Sequence, residues 1–594
     1  MQTEYIVTLW RHEDLADFYD DMETEGGSLY IPNRAVGSHA QRPTSRNTHY
    51  MLTPEEVTTL REDERVRGVT RTEGVEIRRH AFTTSGVYDK SDFSAPNGTD
   101  SRNWNLYRSR NLLTDDANQL NWTSTGSSNE ELSGSITFTD TGRNVDIVVC
   151  DGHIDPAHPE MQVNADGTGG TRVVQEDWSQ YTSTVQGMNP TLGTSSAYFF
   201  NSNYVYAPYT SNTNQDFQEN QQHGASVACI SAGNRQGFAP SANVYNICCY
   251  SDTQVDLGNV TSTIAFTLFD YIRAWHNAKS INADTGCKNP TIVNCSFGYI
   301  NPLITDGTTW PYYAETPTAT YGNSGNTSNQ LTNQEMEDAK ITASSDISND
   351  YNGSGDRRVI ISYDYLPVIS DVEDAIADGI HIVTSAGNSN TLAKSGTNPE
   401  KAQYFFRNVY DGEVQHHSKG FCGDDGINVG CVSGIATSTG EEPVFYTVRG
   451  EGVDIYAYGD GCTAGLNADS TFMGSVISDD RNSSYYMNQF NGTSCAAPQV
   501  AGMLATILER YPDYTPAQAK ADLLNRAIGE TYNGTGDWPT TDEYEANETP
   551  KVAFKRTEIR PESGAIDTRS YRGIRGTSGV VYPRKAANTY RTRT

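Results

Sequence analysis

The segment Asn491-Gly492-Thr493-Ser494-Cys495-Ala496-Ala497-Pro498-Gln499-Val500-Ala501-Gly502 places the tightest limits on this chain. From Ala497 onward, apolar residues fall at Val500, Ala501, Leu504, Ile507 and Leu508, the spacing of one helix face. Pro498 fits the first turn, where a missing N–H costs little. Ser494 then stands at the helix entrance, where unpaired backbone N–H groups and the positive end of the helix dipole converge. That environment suits a nucleophile that generates an oxyanion beside itself. It also suits a serine that merely caps the helix, so the rest of the chain has to decide between the two.

Partners exist upstream. Val145 to Cys150 reads as a buried strand, and Asp151-Gly152-His153-Ile154-Asp155-Pro156-Ala157-His158-Pro159-Glu160-Met161 follows it. Asp151 sits at the carboxyl end of that strand, where open α/β folds place their sites. His223, in Gln222-His223-Gly224-Ala225-Ser226-Val227-Ala228, is expected to open a helix. Another strand, His381 to Ser385, runs into Ala386-Gly387-Asn388, and Ile292-Val293-Asn294-Cys295-Ser296-Phe297-Gly298 forms one more apolar block. The order Asp, His, Ser along the chain is that of subtilisin.

Together these five blocks resemble the subtilisin-like serine proteases, the subtilases. The Gly-Thr-Ser-x-Ala-x-Pro-x-Val-Ala-Gly string carries the resemblance furthest. Departures are Gln499 where His is common, Cys495 where Met is common, Gly152 for Ser or Thr, His153 for Gly, Ala225 for Thr and Cys229 for Gly. A side chain at position 153 is expected to crowd a tight turn. The resemblance implies an α/β fold, a subtilisin-like three-layer arrangement with a mostly parallel central sheet. It also implies a serine endopeptidase whose nucleophile is Ser494, general base His223 and orienting carboxylate Asp151, with Asn388 as an oxyanion donor. Ser296, Phe297 and Gly298 would line the substrate strand, against which a peptide adds as a further strand. No metal is required for this chemistry. Structural Ca²⁺, common in the family, has no loop here specific enough to name ligands.

The front of the chain alternates strand and helix signals. Residues 4–10, 48–52 and 66–71 read as strands; Leu15, Phe18, Tyr19 and Met22 make one helix face; Thr53-Pro54-Glu55-Glu56 is a helix start. This resembles the ferredoxin-like α+β inhibitor propeptide of subtilases. The resemblance implies a self-processing zymogen whose own N-terminal domain is an inhibitory partner. The expected division is a propeptide-like domain at 1–80, a Ser-, Gly-, Asp- and Asn-rich linker with a processing site at 81–102, a catalytic domain at 103–530 with insertions near 299–358 and 390–428, and an extension at 531–594. Asn103-Trp104-Asn105-Leu106 resembles the start of many mature subtilases.

Composition sets the remaining bounds. The net charge of −31 argues against nucleic-acid binding by the body. Residues 549–594 run the other way, with 11 Lys or Arg against 3 Asp or Glu, so this basic tail is expected to be extended and to reach a partner or larger assembly. No apolar run is long enough for a membrane span. No secretory signal is found at the start. The expected location is therefore cytoplasmic or particle-associated, or secreted if a signal was removed. A structural or interaction protein on a protease scaffold, for example in a virus particle, is the rival reading. Cys150, Cys229, Cys295 and Cys495 read as small buried hydrophobes, whereas Cys422 and Cys431 could pair.

Overall fold

The computed structural model describes residues 2–72 apart from 33–35 and 43, then 76–79, 105, 140–186, 215–248, 260–305, 312–313, 357–388 apart from 363–365, 392–394, 416–433 apart from 419, 442–448 apart from 445, 452–459, 462–466, 477–529 apart from 480, 551–552, 574–575 and 581–582. The expected linker, Trp104, most of both insertions and most of the basic tail lie outside the described residues.

The front domain is built from β1 (Thr3–Leu9), α1 (Leu15–Glu23), β2 (Ser38–Gln41), β3 (Asn47–Leu52), α2 (Pro54–Arg61) and β4 (Val66–Arg71). The sheet order is β2-β3-β1-β4 with every neighbouring pair antiparallel, the split βαβ arrangement of ferredoxin-like domains. Local chemistry starts α2. Thr53 accepts from the Glu56 N–H while the Glu56 carboxylate accepts from the Thr53 N–H, a complete capping box with Pro54 at the first helical position. Leu15, Phe18 and Met22 of α1 and Val57 and Leu60 of α2 close over Tyr5, Val7 and Leu9. Beyond β4, the short strand β5 (Glu76–Arg79) leaves this sheet altogether.

The larger unit is organised by β6 (Asp146–Asp151). Its neighbours are β8 (Asn243–Cys248) on one side and β9 (Thr291–Cys295) on the other, both parallel to it. The sheet continues from β8 to β7 (Val173–Val174). On the other side it runs from β9 to β13 (His381–Ser385), then strands Ile427–Ser433, Ile455–Tyr458 and Lys551–Val552, again all parallel. The chain thus steps from β6 outward to β8 and then back across to β9. That reversal opens a crevice at the carboxyl end of β6.

Both faces of this sheet are covered, which explains the unbroken apolar run of β6. Val145, Ile147 and Val149 point to one face, beneath α3 (Gln215–Ala232) and α6 (Thr493–Arg510). Val148 and Cys150 point to the other, beneath α4 (Val260–Ala278) and α5 (Leu366–Ala377). The result is the three-layer α/β architecture with a mostly parallel sheet.

The expected position of Pro498 in the first helical turn needs correction. Pro498 is the sixth residue of α6 and so lies in the second turn. The helix opened by the Thr515 capping box, α7 (Pro516–Arg526), stops before Ile528, which begins a short strand paired antiparallel with Lys551–Val552. The central sheet therefore extends past residue 530 into the first residues of the basic tail. Cys422 and Cys431 are both free thiols, as are the buried Cys150, Cys229, Cys295 and Cys495.

The front domain sits against α4 and α5 through buried charge. Arg42 is wholly buried. Its Nε donates to Asp270 at 2.8 Å, and its Nη2 donates to Asp371. Asp371 also accepts from Ser45 and, at 3.0 Å, from Asn47 Nδ2. Arg46 reaches Glu373 at 2.8 Å and Asp374 at 3.1 Å, and Arg67 reaches Glu373 at 2.8 Å. Burial pushes the Asp371 carboxyl up to about 7, against the pull of the neighbouring Arg42. Removing one member of such a cluster leaves an uncompensated buried charge, which costs about 3–5 kcal/mol.

Candidate active site

Asp151 ends β6 at the crevice and is fully buried. Its Oδ1 accepts from the Gly152 N–H at 2.7 Å and lies 2.7 Å from His223 Nδ1. The carboxylate accepts, so Nδ1 carries the proton. His223 belongs to α3, but as its ninth residue rather than its first. What brings it to Asp151 is the next residue. A Cβ on Gly224 would stand 2.2 Å from the Gly152 carbonyl, so only glycine lets helix and loop approach this closely. Phe490 meets the His223 ring edge-to-face with centroids 5.3 Å apart, which fixes the ring from another side.

The turn after Asp151 accommodates its unusual side chain. His153 is buried and does not have a positive φ, so no glycine conformation is being forced there. Burial pushes its imidazole down to about 4, so it is uncharged at neutral pH and adds no cation beside Asp151.

Ser494 is the second residue of α6, so its N–H is among the four without an intrahelical acceptor. The helix cap is Gly492, at φ 99, with no side-chain cap bond. The hydroxyl of Ser494 instead donates to the Ser296 carbonyl at 2.9 Å, which removes the capping explanation. His223 Nε2 is buried with no hydrogen-bond partner among the described residues. The Ser494 hydroxyl therefore rests on Ser296 rather than on Nε2. Catalytic hydrogen bonds commonly tighten only when substrate is bound.

Pro498 has a specific consequence here. Lacking an N–H, it cannot satisfy the Ser494 carbonyl four residues earlier. Ser296 Oγ donates to that carbonyl at 3.1 Å in its place, and Asn294 Nδ2 in turn donates to Ser296 Oγ at 2.9 Å. The two serines are thus bonded in both directions, which ties the start of α6 to the end of β9.

Asn388 follows β13 and is oriented by Thr493. Its Oδ1 accepts from the Thr493 backbone N–H at 2.9 Å and from Thr493 Oγ1 at 2.9 Å. The backbone N–H can only donate, so the carbonyl end of the amide must face Thr493 and Nδ2 must point away from it. Thr493 Oγ1 accepts from the Gly387 N–H at 3.1 Å, closing the ring of contacts. Neither this positioning role of Thr493 nor that of Phe490 was read from the sequence, although Thr493 lies within the quoted string.

Ser296, Phe297 and Gly298 lead into β10 (Phe297–Thr305). The Phe297 ring is fully buried and stacks on Phe421 at 5.8 Å, so this residue offers its backbone to the crevice and its side chain to the core. β5 of the front domain lies antiparallel along this strand, with Arg79 opposite Phe297, Arg78 opposite Gly298, Ile77 opposite Tyr299 and Glu76 opposite Ile300. The crevice edge is thus occupied by the protein's own chain, and Asp151, His223 and Ser494 are all buried. Among the described residues, no group of three or more His, Cys, Asp or Glu side chains is placed to hold a metal ion.

Parts of the chain are similar to known proteins. A 171-residue stretch is 28% identical to the subtilisin-like serine protease Cla h 9.0101 of Davidiella tassiana, covering 27% of this chain and 25% of that protein. A 176-residue stretch is 27% identical to the serine protease AprX of Bacillus subtilis strain 168, covering 30% and 35% respectively. The chain therefore matches only a quarter to about a third of the length of these relatives. Among solved structures, fervidolysin from Fervidobacterium pennivorans, a keratinolytic enzyme related to subtilisin, is similar at a TM-score of 0.46 and 15% identity, over 93% of this chain and 60% of that one. A cold-adapted subtilisin-like serine proteinase matches at a TM-score of 0.37 and 16% identity, over 77% and 98%. The model of the subtilase family matches residues 142–554, most of the length of the chain and all of the crevice-forming elements, so the chain belongs to the subtilase family.

Proposed function

We propose that this protein is a serine endopeptidase made as a self-processing zymogen. The contact between Asp151 Oδ1 and His223 Nδ1 at 2.7 Å, buried at the end of β6, carries the reading. It is a carboxylate–imidazole pair with its second nitrogen unoccupied, the arrangement a general base needs. In this reading Ser494 Oγ attacks the peptide carbonyl and gives its proton to His223 Nε2. Asp151 holds the ring and stabilises the imidazolium. The Ser494 N–H and Asn388 Nδ2 hold the oxyanion, and His223 returns the proton to the departing amine. The front domain blocks the crevice through β5, which supports an inhibitory role.

The test is covalent. A fluorophosphonate added to protein freed of its front domain should form one adduct, located at Ser494 by peptide mass mapping. Folded protein that stays unlabelled, or an adduct at another serine, would refute the reading. Asn388→Ala should lower kcat by about 10²–10³ with little change in KM, because an oxyanion donor acts on the transition state. A loss confined to KM would make Asn388 a substrate-binding residue instead.

A further inference from the structure

From a small sheet that leads into α6, we infer that Arg481 and Tyr485 are positioning residues that set the spacing of Asp151, His223 and Ser494. The inference rests on the peptidase reading above and adds two side chains that touch none of the reacting atoms. In this sheet the strand Tyr486–Phe490 lies between Cys462–Leu466 and Ile477–Ser478, antiparallel to both. Its last residue, Phe490, packs on the His223 ring. The chain then passes through Asn491 and Gly492 straight into α6, with Ser494 as the second helical residue. A shift of this strand is therefore a shift of the nucleophile.

Arg481 fastens the turn before that strand to the loop after Asp151. Its buried guanidinium donates through Nη2 to Glu160 Oε1 and, at 2.7 Å, to Asp479 Oδ2. Nε donates to Asp479 Oδ1 at 2.9 Å, and Nη1 donates to Asn234 Oδ1 at 2.7 Å. Glu160 is fully buried, and its other oxygen accepts from the N–H groups of Arg235 at 3.0 Å and Gln236 at 2.8 Å, just past the end of α3. One guanidinium thus joins the turn, the loop that follows Asp151 and the far end of the helix that carries His223. Tyr485 adds a second fastening. Its hydroxyl donates to Asp155 Oδ2 at 3.0 Å, and its ring meets His158 edge-to-face with centroids 5.0 Å apart. The third is made by backbone. Gly465, paired with Met487, accepts from Ser226 Oγ of α3 at 3.1 Å. A Cβ on Gly465 would stand 2.6 Å from His158 Cε1 and 2.7 Å from Cys229 Sγ, so sheet, loop and α3 meet at this glycine.

Stability alone does not account for the buried charges. Apolar side chains of the same volume commonly stabilise a fold as well as a buried ion cluster does. A planar guanidinium held in a fork of acceptors adds something that apolar packing lacks: it fixes both distance and direction. A catalytic triad needs both, since misplacing a group by about 1 Å costs about a hundredfold in rate.

Full-length chains carrying Arg481→Lys or Tyr485→Phe test this, with kcat on a chromogenic peptide expressed per Ser494 labelled by fluorophosphonate. Lysine keeps the charge but cannot span Glu160, Asp479 and Asn234 together. Phenylalanine keeps the ring on His158 and loses only the bond to Asp155. We expect kcat to fall by about a hundredfold in the first and about tenfold in the second, with KM changed by less than about twofold. Arg235→Ala removes an arginine that reaches the Ala165 carbonyl beside Arg481, without unfastening the strand, and should leave kcat unchanged. Folded variants that melt earlier yet keep the wild-type kcat would make the two residues a structural staple and overturn the inference, as would a loss carried by KM. If Arg481→Lys does not fold, Tyr485→Phe decides by the same criterion. Wild-type protein that takes up no label removes the peptidase reading and this inference with it.

Discussion

Ser494→Ala is expected to lower the turnover of a peptide substrate by about 10⁶, the loss that follows removal of the nucleophile in subtilisin. The expectation rests on how little else the hydroxyl does. Among the described residues its hydrogen bond is to the Ser296 carbonyl at 2.9 Å, and the helix is capped by Gly492 rather than by Ser494. The reverse bond, from Ser296 Oγ to the Ser494 backbone carbonyl, survives the substitution. The variant should therefore fold, bind peptide with an unchanged KM and fail only in the chemical step. A variant that keeps more than about a hundredth of the wild-type kcat would show that another group supplies the nucleophile.

The second large effect is expected at Asp151. Asp151→Asn preserves shape and removes charge. Oδ1 already accepts from the Gly152 N–H, so the amide oxygen is held in that place and can still accept from His223 Nδ1. What disappears is the negative charge that stabilises the imidazolium. We expect kcat to fall by about 10⁴. The amide nitrogen would occupy the place of Oδ2, which is buried and has no hydrogen-bond partner among the described residues, and an unsatisfied donor there costs about 1–3 kcal/mol of stability. Turnover should accordingly be measured well below the melting temperature of the variant. A loss of less than about tenfold in folded protein would mean that Asp151 does not act through His223.

What could be read from the sequence was mostly what is local. Thr53, Pro54 and Glu56 announce α2 because a capping box is closed within four residues. Asp151 could be placed because an apolar run ends at it, and Asn388 because β13 stops just before it. The sequence reads His223 as opening a helix, yet α3 begins at Gln215. The turn position of Pro498 was misjudged because the compensating donor, Ser296, lies 198 residues away. The same distance hides β5. Nothing in Glu76-Ile77-Arg78-Arg79 says that its partner strand begins at Phe297 and not within its own domain.

The arginine contacts of the front domain have a kinetic consequence. A cut after β5 breaks one covalent bond but none of the links from Arg42, Arg46 and Arg67 to Asp270, Asp371, Glu373 and Asp374. In the proposed zymogen, cutting and unblocking would therefore be two separate events on two clocks. The first is set by chemistry at Ser494, the second by the residence time of a bound fragment whose buried charges must regain water together before it can leave. Because the Arg42 pairs with Asp270 and Asp371 are shielded from the solvent, added salt should do little to weaken that part of the contact. On that proposal, the lag between a completed cut and a working enzyme would be set by the contact between two helices and three arginines rather than by the proposed catalytic residues.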